Sequence, residues 1–453
     1  MSTVTSTNPY TGETIATYKT HTKKEITELL EKADERFYSW RETSFAARKK
    51  LMIAAASELK KNTEEYAKTI SEEVGKPITQ AISEVEKCAW VCEYYADQAE
   101  KQTANEIIKT DAHKSYVSYE PMGVVLAVMP WNYPFWQVFR FAAPALMAGN
   151  IGVLKHASNV FGSALLIEKV FQRAGFPKNC FTTLLVGSDK IEEIIENPII
   201  KAVTLTGSGP AGSAVAAVAG ENIKKTVLEL GGNNALVVME DCDMETTVDI
   251  CVQARYQNTG QSCIAGKRLL VAESIAKEFT EILVKKVREL KSGDPSDEAT
   301  YIGTLAREDL AKDIEEQVKA SVKAGAKLEL GGKRQNAYFE PTIVSGVTPK
   351  MPVFNEETFG PALSITTFKD ADEAIELSNN SKFGLGVSIF TKDIDAAEKM
   401  AYRFDEGAVF INELVKSDPR LPFGGIKDSG YGRELSQHGI REFMNRKTIY
   451  INK

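Results

Sequence analysis

The chain has 453 residues, more than the roughly 250–300 at which one hydrophobic core stops growing, so two or three domains are expected; 43% hydrophobic and 26% charged residues are ordinary for a globular enzyme. A net charge of -7 excludes a protein built to hold a polyanion such as nucleic acid, and the N-terminus MSTVTSTNPYTGE has neither the basic flank nor the apolar run of a secretory signal. The longest apolar stretches, such as 123–130, fall far short of the roughly 20 residues that cross a bilayer, and six scattered cysteines with four histidines show no metal-type spacing, which favours a reducing, cytoplasmic setting without a metal site or a membrane anchor.

Thr22-Lys-Lys-Glu25 is a capping box, with Ile26, Leu29, Leu30 and Ala33 following at helical spacing. A second amphipathic helix carries Phe45, Leu51, Ala55 and Leu59. A third runs from about Pro77 to Ala99, so the stretch before residue 100 reads as mostly helix. The texture then changes. Residues 115–120 (SYVSYE) alternate as a strand does, and 123–129 (GVVLAVM) is a continuous apolar run suited to a buried parallel strand. Pro134 suits the first turn of a helix through Leu146, which Gly149 ends. Strands at 151–154, 181–186, 202–206 and 227–230 alternate with helices at 163–174 and 190–196, the pattern of a doubly wound parallel sheet. A second α/β alternation begins near Gly231, with strands at 234–238 and 268–271, helices at 244–256 and 275–290, and further elements at 362–368, 371–378 and 387–390. The tail 447–451 (KTIYI) is a lone strand that needs a partner, either the 115–120 region or another subunit.

Several segments could carry chemistry. Gly207-Ser-Gly-Pro-Ala-Gly212 is a G-x-G-x-x-G between strand and helix, either a phosphate cradle or an ordinary tight turn. Glu229 lies near the spacing at which a simple dinucleotide fingerprint places its ribose ligand. It could equally be a solvated strand-end acid or a base with a raised pKa. Cys263, in Asn258-Thr-Gly-Gln-Ser-Cys263, sits in a glycine-bearing loop where a nucleophile is reachable, whereas Cys88, Cys92, Cys180, Cys242 and Cys251 lie in helical or apolar surroundings and read as structural. Asn132 follows a buried strand and is either a turn former or an amide aimed into a site. Glu357 and Phe359 lie in a loop-like run, 355–361, where a solvated acid and a satellite hydrophobe are the plain alternatives.

Together these segments resemble the aldehyde dehydrogenase superfamily. The matching pieces are Pro130-Trp131-Asn132-Tyr133-Pro134, Lys155-His156-Ala157-Ser158, Leu205-Thr206-Gly207-Ser208, Glu229-Leu230-Gly231-Gly232, Gly260-Gln261-Ser262-Cys263, Glu357-Thr358-Phe359-Gly360-Pro361 and Pro422-Phe423-Gly424-Gly425. They occur in the family's order and span nearly the whole chain. The resemblance implies an α/β fold with a Rossmann-type cofactor domain (1–105 and 122–230), an α/β catalytic domain (231–435) and a small β oligomerisation element (106–121 and 436–453), and hence a homo-oligomer, dimer or tetramer. It implies Cys263 as nucleophile, Glu229 as general base and Asn132 as oxyanion donor beside the Cys263 backbone N–H. It assigns the cofactor to Trp131, Lys155, Ser158, Gly207, Ser208, Glu357 and Phe359. Family members that pass the acyl group to coenzyme A typically lack the Glu, so its presence favours release by water.

Two departures matter. Many relatives carry Lys-Pro-Ser-Glu where this chain has Lys155-His156-Ala157-Ser158. A Glu at 158 would bind the ribose hydroxyls and repel a 2′-phosphate; Ser158 does neither, so NADP is favoured over NAD. Gly231-Gly232-Asn233-Asn234 also differs from the commoner Gly-Gly-Lys form. The short chain, the 417–425 segment and Arg140 resemble the short-form succinate-semialdehyde dehydrogenases. Trp136 and Arg140 are one helical turn apart, and the resemblance implies that Arg140, with Ser417, clamps a distal carboxylate. An Arg in this apolar helix could instead be simply salt-bridged. Competing expectations are another aldehyde specificity (lactaldehyde, glutarate semialdehyde, a broad aliphatic range), a non-redox acyl hydrolase using the same Cys and Glu, and a silent structural protein on this scaffold.

Overall fold

A computed structural model describes residues 2–453. Two parallel-based sheets, each wrapped by helices, and a small antiparallel sheet form the framework. In the first sheet, Val124–Met129 pairs on one side with Ile151–His156 and then Phe181–Thr183, and on the other with Ile200–Thr206 and then Lys225–Glu229, all parallel. The chain order therefore reverses between Val124–Met129 and Ile200–Thr206, and ligands of such sheets settle at the carboxyl ends beside that reversal. The second sheet orders its parallel strands Thr342–Ser345, Ala362–Phe368, Gly266–Ala272, Asn234–Val238, Val387–Phe390 and Val409–Ile411, with Lys327–Leu330 antiparallel at one edge. Its central strands are buried along their whole length, matching their unbroken apolar sequences.

Thr22 caps the first long helix, Lys23–Trp40, with its hydroxyl on the Glu25 N–H while the Glu25 carboxylate returns to the Thr22 N–H at 2.7 Å. The expectation that the stretch before residue 100 is mostly helix is corrected at its start. Thr3–Thr7 and Thr14–Lys19 form a hairpin, closed by Asn8, whose side-chain oxygen accepts from the Tyr10 and Thr11 N–H groups. The helix after Pro134 begins two residues later than expected, at Trp136, because Glu84 from the Ile78–Gln102 helix takes the N–H groups of Phe135 and Trp136 at 2.9 and 3.0 Å. Gly149 ends it with φ +95°.

The terminal strand finds the first of its two expected partners. Met444–Ile451 runs antiparallel to Lys114–Pro121 over eight residue pairs, with Glu106–Ile107 on the far side. On the way there the chain crosses back to the first sheet: Gly430–Tyr431 pairs with the end of Lys225–Glu229, and Phe423, Leu435, Ile440 and Phe443 join the core of the first unit. Residues 423–443 thus pack on the first unit although they follow the second sheet in sequence. No helix among the described residues is long and apolar enough to cross a membrane.

Candidate active site

The carboxyl edge of the first sheet carries Asn132 after Val124–Met129, Lys155 near the end of Ile151–His156, Gly207 after Ile200–Thr206, and Glu229 at the end of Lys225–Glu229. The second sheet contributes from its opposite ends: Cys263 precedes Gly266–Ala272, and Glu357 to Pro361 precede Ala362–Phe368. The candidate residues therefore meet where the two units face each other, and several hydrogen bonds cross that boundary. The Asn132 amide nitrogen donates to the Gln261 carbonyl at 3.0 Å, and the Asn258 amide donates to the Asn132 carbonyl at 2.9 Å.

The loop before Cys263 is held in an unusual backbone. Asn258 and Thr259 both lie in the left-handed region, with φ of 56° and 53°. For β-branched Thr this costs on the order of 1–3 kcal/mol and persists only because the surroundings enforce it. The Thr259 hydroxyl takes the Gly303 N–H at 3.0 Å, and Gln261 takes the Ala306 N–H at 2.9 Å. From the other side Lys267, fully buried, donates to the carbonyls of Gly232, Ser262 and Cys263 at 2.6, 2.9 and 2.9 Å and to Glu357 at 3.0 Å. Gly232 is required here, since a Cβ would stand 2.6 Å from the Cys263 carbonyl oxygen.

Five of the six cysteines are buried; only Cys263 is partly exposed. It opens on a cavity of about 160 Å³ that is also bordered by Lys87, Trp136, Arg140, Ser417 and Phe423. That is small beside the roughly 300–1,000 Å³ of sites for drug-sized ligands, and suits a short substrate. Burial pushes the thiol up to about 11, against the pull of Arg140 and Lys267. Its backbone N–H makes no hydrogen bond among the described residues, and there one hydrogen of the Asn132 amide remains free after the bond to Gln261.

Glu229 is buried with both carboxylate oxygens lacking a hydrogen-bond partner. Burial raises its pKa well above the ordinary carboxylate range, and Glu434 nearby raises it further, while Arg140 and Arg433 oppose both. Neither Asn132 nor Glu229 borders the 160 Å³ cavity. Glu229 lies under Gly424, whose φ of +147° admits no side chain: a Cβ would come 2.6 Å from the Glu229 carboxylate.

Arg140 forms a buried ion pair with Glu434, donates to the Thr206 hydroxyl at 3.3 Å and stacks on Phe423. The salt-bridged alternative thus describes much of its surroundings, although it still borders the cavity. Trp136 and Ser417 are joined directly, indole N–H to hydroxyl at 3.1 Å.

The cofactor candidates form a second group. The helix Gly209–Glu221 starts after Ser208 with no side-chain cap, and a Cβ on Gly209 would meet nothing within 4 Å, so its first N–H groups face open space. Gly212 packs the helix against Leu230, where a Cβ would clash at 2.6 Å. Lys155 is buried without a hydrogen bond or carboxylate partner among the described residues, and burial lowers its pKa. Ser158 begins the short turn that follows. Trp131 and Phe359 meet edge to face at 5.7 Å between ring centroids, and Glu357 accepts from the Gly232 N–H at 3.0 Å as well as from Lys267. An uncapped helix N-terminus, an unpaired lysine and two facing aromatic rings fit a phosphorylated dinucleotide.

Sequence reasoning missed Lys267, Glu434 and Lys87. A lysine inside the apolar strand Gly266–Ala272 was a legible sign of a buried, paired charge. Glu434 and Lys87 carry no such local sign.

The aldehyde dehydrogenase family model matches residues 1–449. The chain belongs to the aldehyde dehydrogenase family. This dehydrogenase is 49% identical to the probable succinate-semialdehyde dehydrogenase (NADP+) of a Synechocystis strain, over 98% of each chain. It is 47% identical to the succinate-semialdehyde dehydrogenase (NADP+) of Mycobacterium avium, over 98% of this chain and 96% of that one. Among solved structures, the Streptococcus pyogenes succinic semialdehyde dehydrogenase in complex with NADP+ superposes with a TM-score of 0.97 at 36% identity, covering 99% of this chain and 100% of that one. The expected α/β fold of this family is what the structure shows.

Proposed function

We propose that this aldehyde dehydrogenase oxidises succinic semialdehyde to succinate with NADP+, releasing the acyl group by hydrolysis. The observation that carries the reading is the small cavity that begins at Cys263 and is bordered further along by Trp136, Arg140 and Ser417, groups suited to a carboxylate. The names of the relatives at 45–49% identity support the same substrate and cofactor.

The Cys263 sulfur adds to the aldehyde carbon. Its proton passes to the Glu229 carboxylate, which the buried, unpartnered setting makes a strong proton acceptor. The oxyanion receives the free Asn132 amide hydrogen and the Cys263 backbone N–H, preorganised donors each worth about 3–4 kcal/mol in comparable sites. When bound, the nicotinamide supplies the hydride acceptor that turns the thiohemiacetal into a thioester. Having passed that first proton to solvent, Glu229 takes a proton from the attacking water and returns it to the departing sulfur, so the thiol is regenerated as the acid leaves and ionises. The balance is aldehyde, NADP+ and water to carboxylate, NADPH and two protons. Lys155 and Ser158 would hold the ribose and its 2′-phosphate, Gly207 and Ser208 the pyrophosphate, and Trp131, Glu357 and Phe359 the nicotinamide riboside.

A Cys263→Ala variant tests the nucleophile: it is expected to bind NADP+ yet form no NADPH from any aldehyde, and native rates would refute the reading. Wild-type kcat/KM with NADP+ and NAD+ tests the role of Ser158, and a strong NAD preference would remove it. The exposed edge strand Met444–Ile451 supports pairing with a second copy, so light scattering should report a dimer or tetramer.

A further inference from the structure

Lys87 lies on the Ile78–Gln102 helix and borders the same cavity as Cys263. Its ammonium lies over the Trp136 ring, 4.3 Å from the centroid, and its Nζ donates to the Ser417 hydroxyl oxygen at 2.9 Å. The Trp136 indole N–H donates to the same oxygen at 3.1 Å. A hydroxyl oxygen has two acceptor sites. Both are taken, so the Ser417 proton has to point elsewhere. Two of the three Lys87 protons are likewise unspent.

The charges around the cavity are otherwise matched. Arg140 is paired with Glu434. Glu84 is paired with Lys76 and accepts two backbone N–H groups. Asp418 is held by both arms of Arg420, at 2.9 and 2.6 Å. Lys87 alone of the cavity's cations has no carboxylate partner among the described residues. The Trp136 ring face attracts the ammonium, but a neutral ring is no counterion, and the charge stays without one in a half-buried place. Burial and the neighbouring Arg140 pull its pKa down to about 8, against Cys88, Asp418 and Glu84, so a bound anion would relieve a real cost.

Resting on the reading that this site oxidises a short anionic aldehyde, we propose that Lys87 is its specificity residue: the Lys87 ammonium and the Ser417 hydroxyl receive the distal carboxylate of a substrate whose carbonyl lies at Cys263. Trp136 positions both donors. Arg140, already engaged by Glu434, adds positive potential behind them and is the secondary cation.

The test compares Lys87→Met, which keeps an unbranched stem and removes the charge, with Lys87→Arg. Each is assayed with succinic semialdehyde and with butanal, its uncharged counterpart of equal chain length. In Lys87→Met the preference for succinic semialdehyde, as a ratio of kcat/KM values, falls roughly ten- to hundredfold, as expected for losing a charged hydrogen bond. The loss falls on KM of the anionic aldehyde, and butanal oxidation does not fall in parallel. Lys87→Arg recovers most of the preference. Succinate, as a competitive inhibitor of butanal oxidation, weakens by a similar factor in Lys87→Met. Butanal turnover in the same preparation reports an intact fold; if the Met variant lacks it, Lys87→Gln takes its place. A wild-type enzyme that does not prefer succinic semialdehyde to butanal would sink the substrate reading and this inference together. A wild type that prefers it, with the preference intact in the uncharged variant, would overturn the role of Lys87 alone.

Discussion

Replacing Arg140 by Leu removes the partner of Glu434, a carboxylate only 5% exposed. The folded variant must either keep an unpaired buried charge or bind a proton there. The second option sets a ceiling. Protonating a carboxyl of ordinary pKa about 4.3 at pH 7 costs about 3.7 kcal/mol at about 1.36 kcal/mol per pH unit. That falls within the roughly 3–5 kcal/mol seen when one member of a buried pair is removed. The sign of the pH dependence follows from the direction of the shift. Burial raises the Glu434 pKa, so the penalty is absent below about pH 4.3 and grows as the pH rises. At pH 5.5 the ceiling is about 1.6 kcal/mol by the same arithmetic. Urea unfolding of the wild type, Arg140→Leu and the double variant Arg140→Leu/Glu434→Leu at pH 7.0 and 5.5 measures this. Arg140→Leu should lose about 3–4 kcal/mol at pH 7 and less than half of that at pH 5.5, and the double variant should recover most of it. An unchanged midpoint in Arg140→Leu, or a penalty that grows on acidification, would refute the pairing argument.

Glu229→Gln keeps the shape of the base and removes its proton affinity. The first equivalent of NADPH should form more slowly than in the wild type but still ahead of later turnovers, the acyl adduct on Cys263 should be visible by mass, and steady-state turnover should fall by roughly 10²–10⁴; turnover within about twofold of wild type would exclude Glu229 as the deacylation base. Because burial pushes the Cys263 thiol up to about 11, its thiolate appears only at high pH. Alkylation of Cys263 by iodoacetamide in the cofactor-free enzyme should therefore climb about tenfold per pH unit from 7 to 10, whereas an ordinary thiol of pKa about 8.5 levels off near pH 9.5. A plateau by pH 9 would contradict the burial argument. Gly424→Ala places a Cβ 2.6 Å from the Glu229 carboxylate; kcat should fall by about tenfold or more with stability changed less, and a native kcat would show that Glu229 has room to spare.

The elements that the sequence made legible are the largely buried strands and the capped helix between them. Residues 234–238, 244–256, 362–368 and 387–390 have the expected bounds because apolar runs and capping residues leave one outcome. The N-terminal hairpin escaped because its half-exposed strands carry Thr and Ser in place of large apolar residues, so alternation is muted. In the site, short motifs marked Cys263, Glu229 and Asn132, since each occurs in a local string with few other uses. The groups that tune them come from far away in sequence. Glu434 reaches Arg140 across 294 positions, and Lys87 meets Ser417 across 330. No local pattern encodes such a meeting; only the return of residues 417–443 to the first unit creates it. Arg140 shows the limit most clearly. Its helix and face were legible, but whether its charge was spoken for depended on a carboxylate outside any motif.

That return path has a bearing on how the enzyme is born. Ser417, the glycine roof over Glu229 and the acid that neutralises Arg140 all follow Val409–Ile411, the last strand of the second sheet. A chain emerging from the ribosome can close both main sheets and still lack a finished reaction centre. Until residue 434 is out, the first unit carries the Arg140 guanidinium without its carboxylate partner in a buried helix. The pocket wall thus closes after both main sheets, and a fragment truncated before residue 417 would lack Ser417, Gly424 and the Glu434 partner of Arg140.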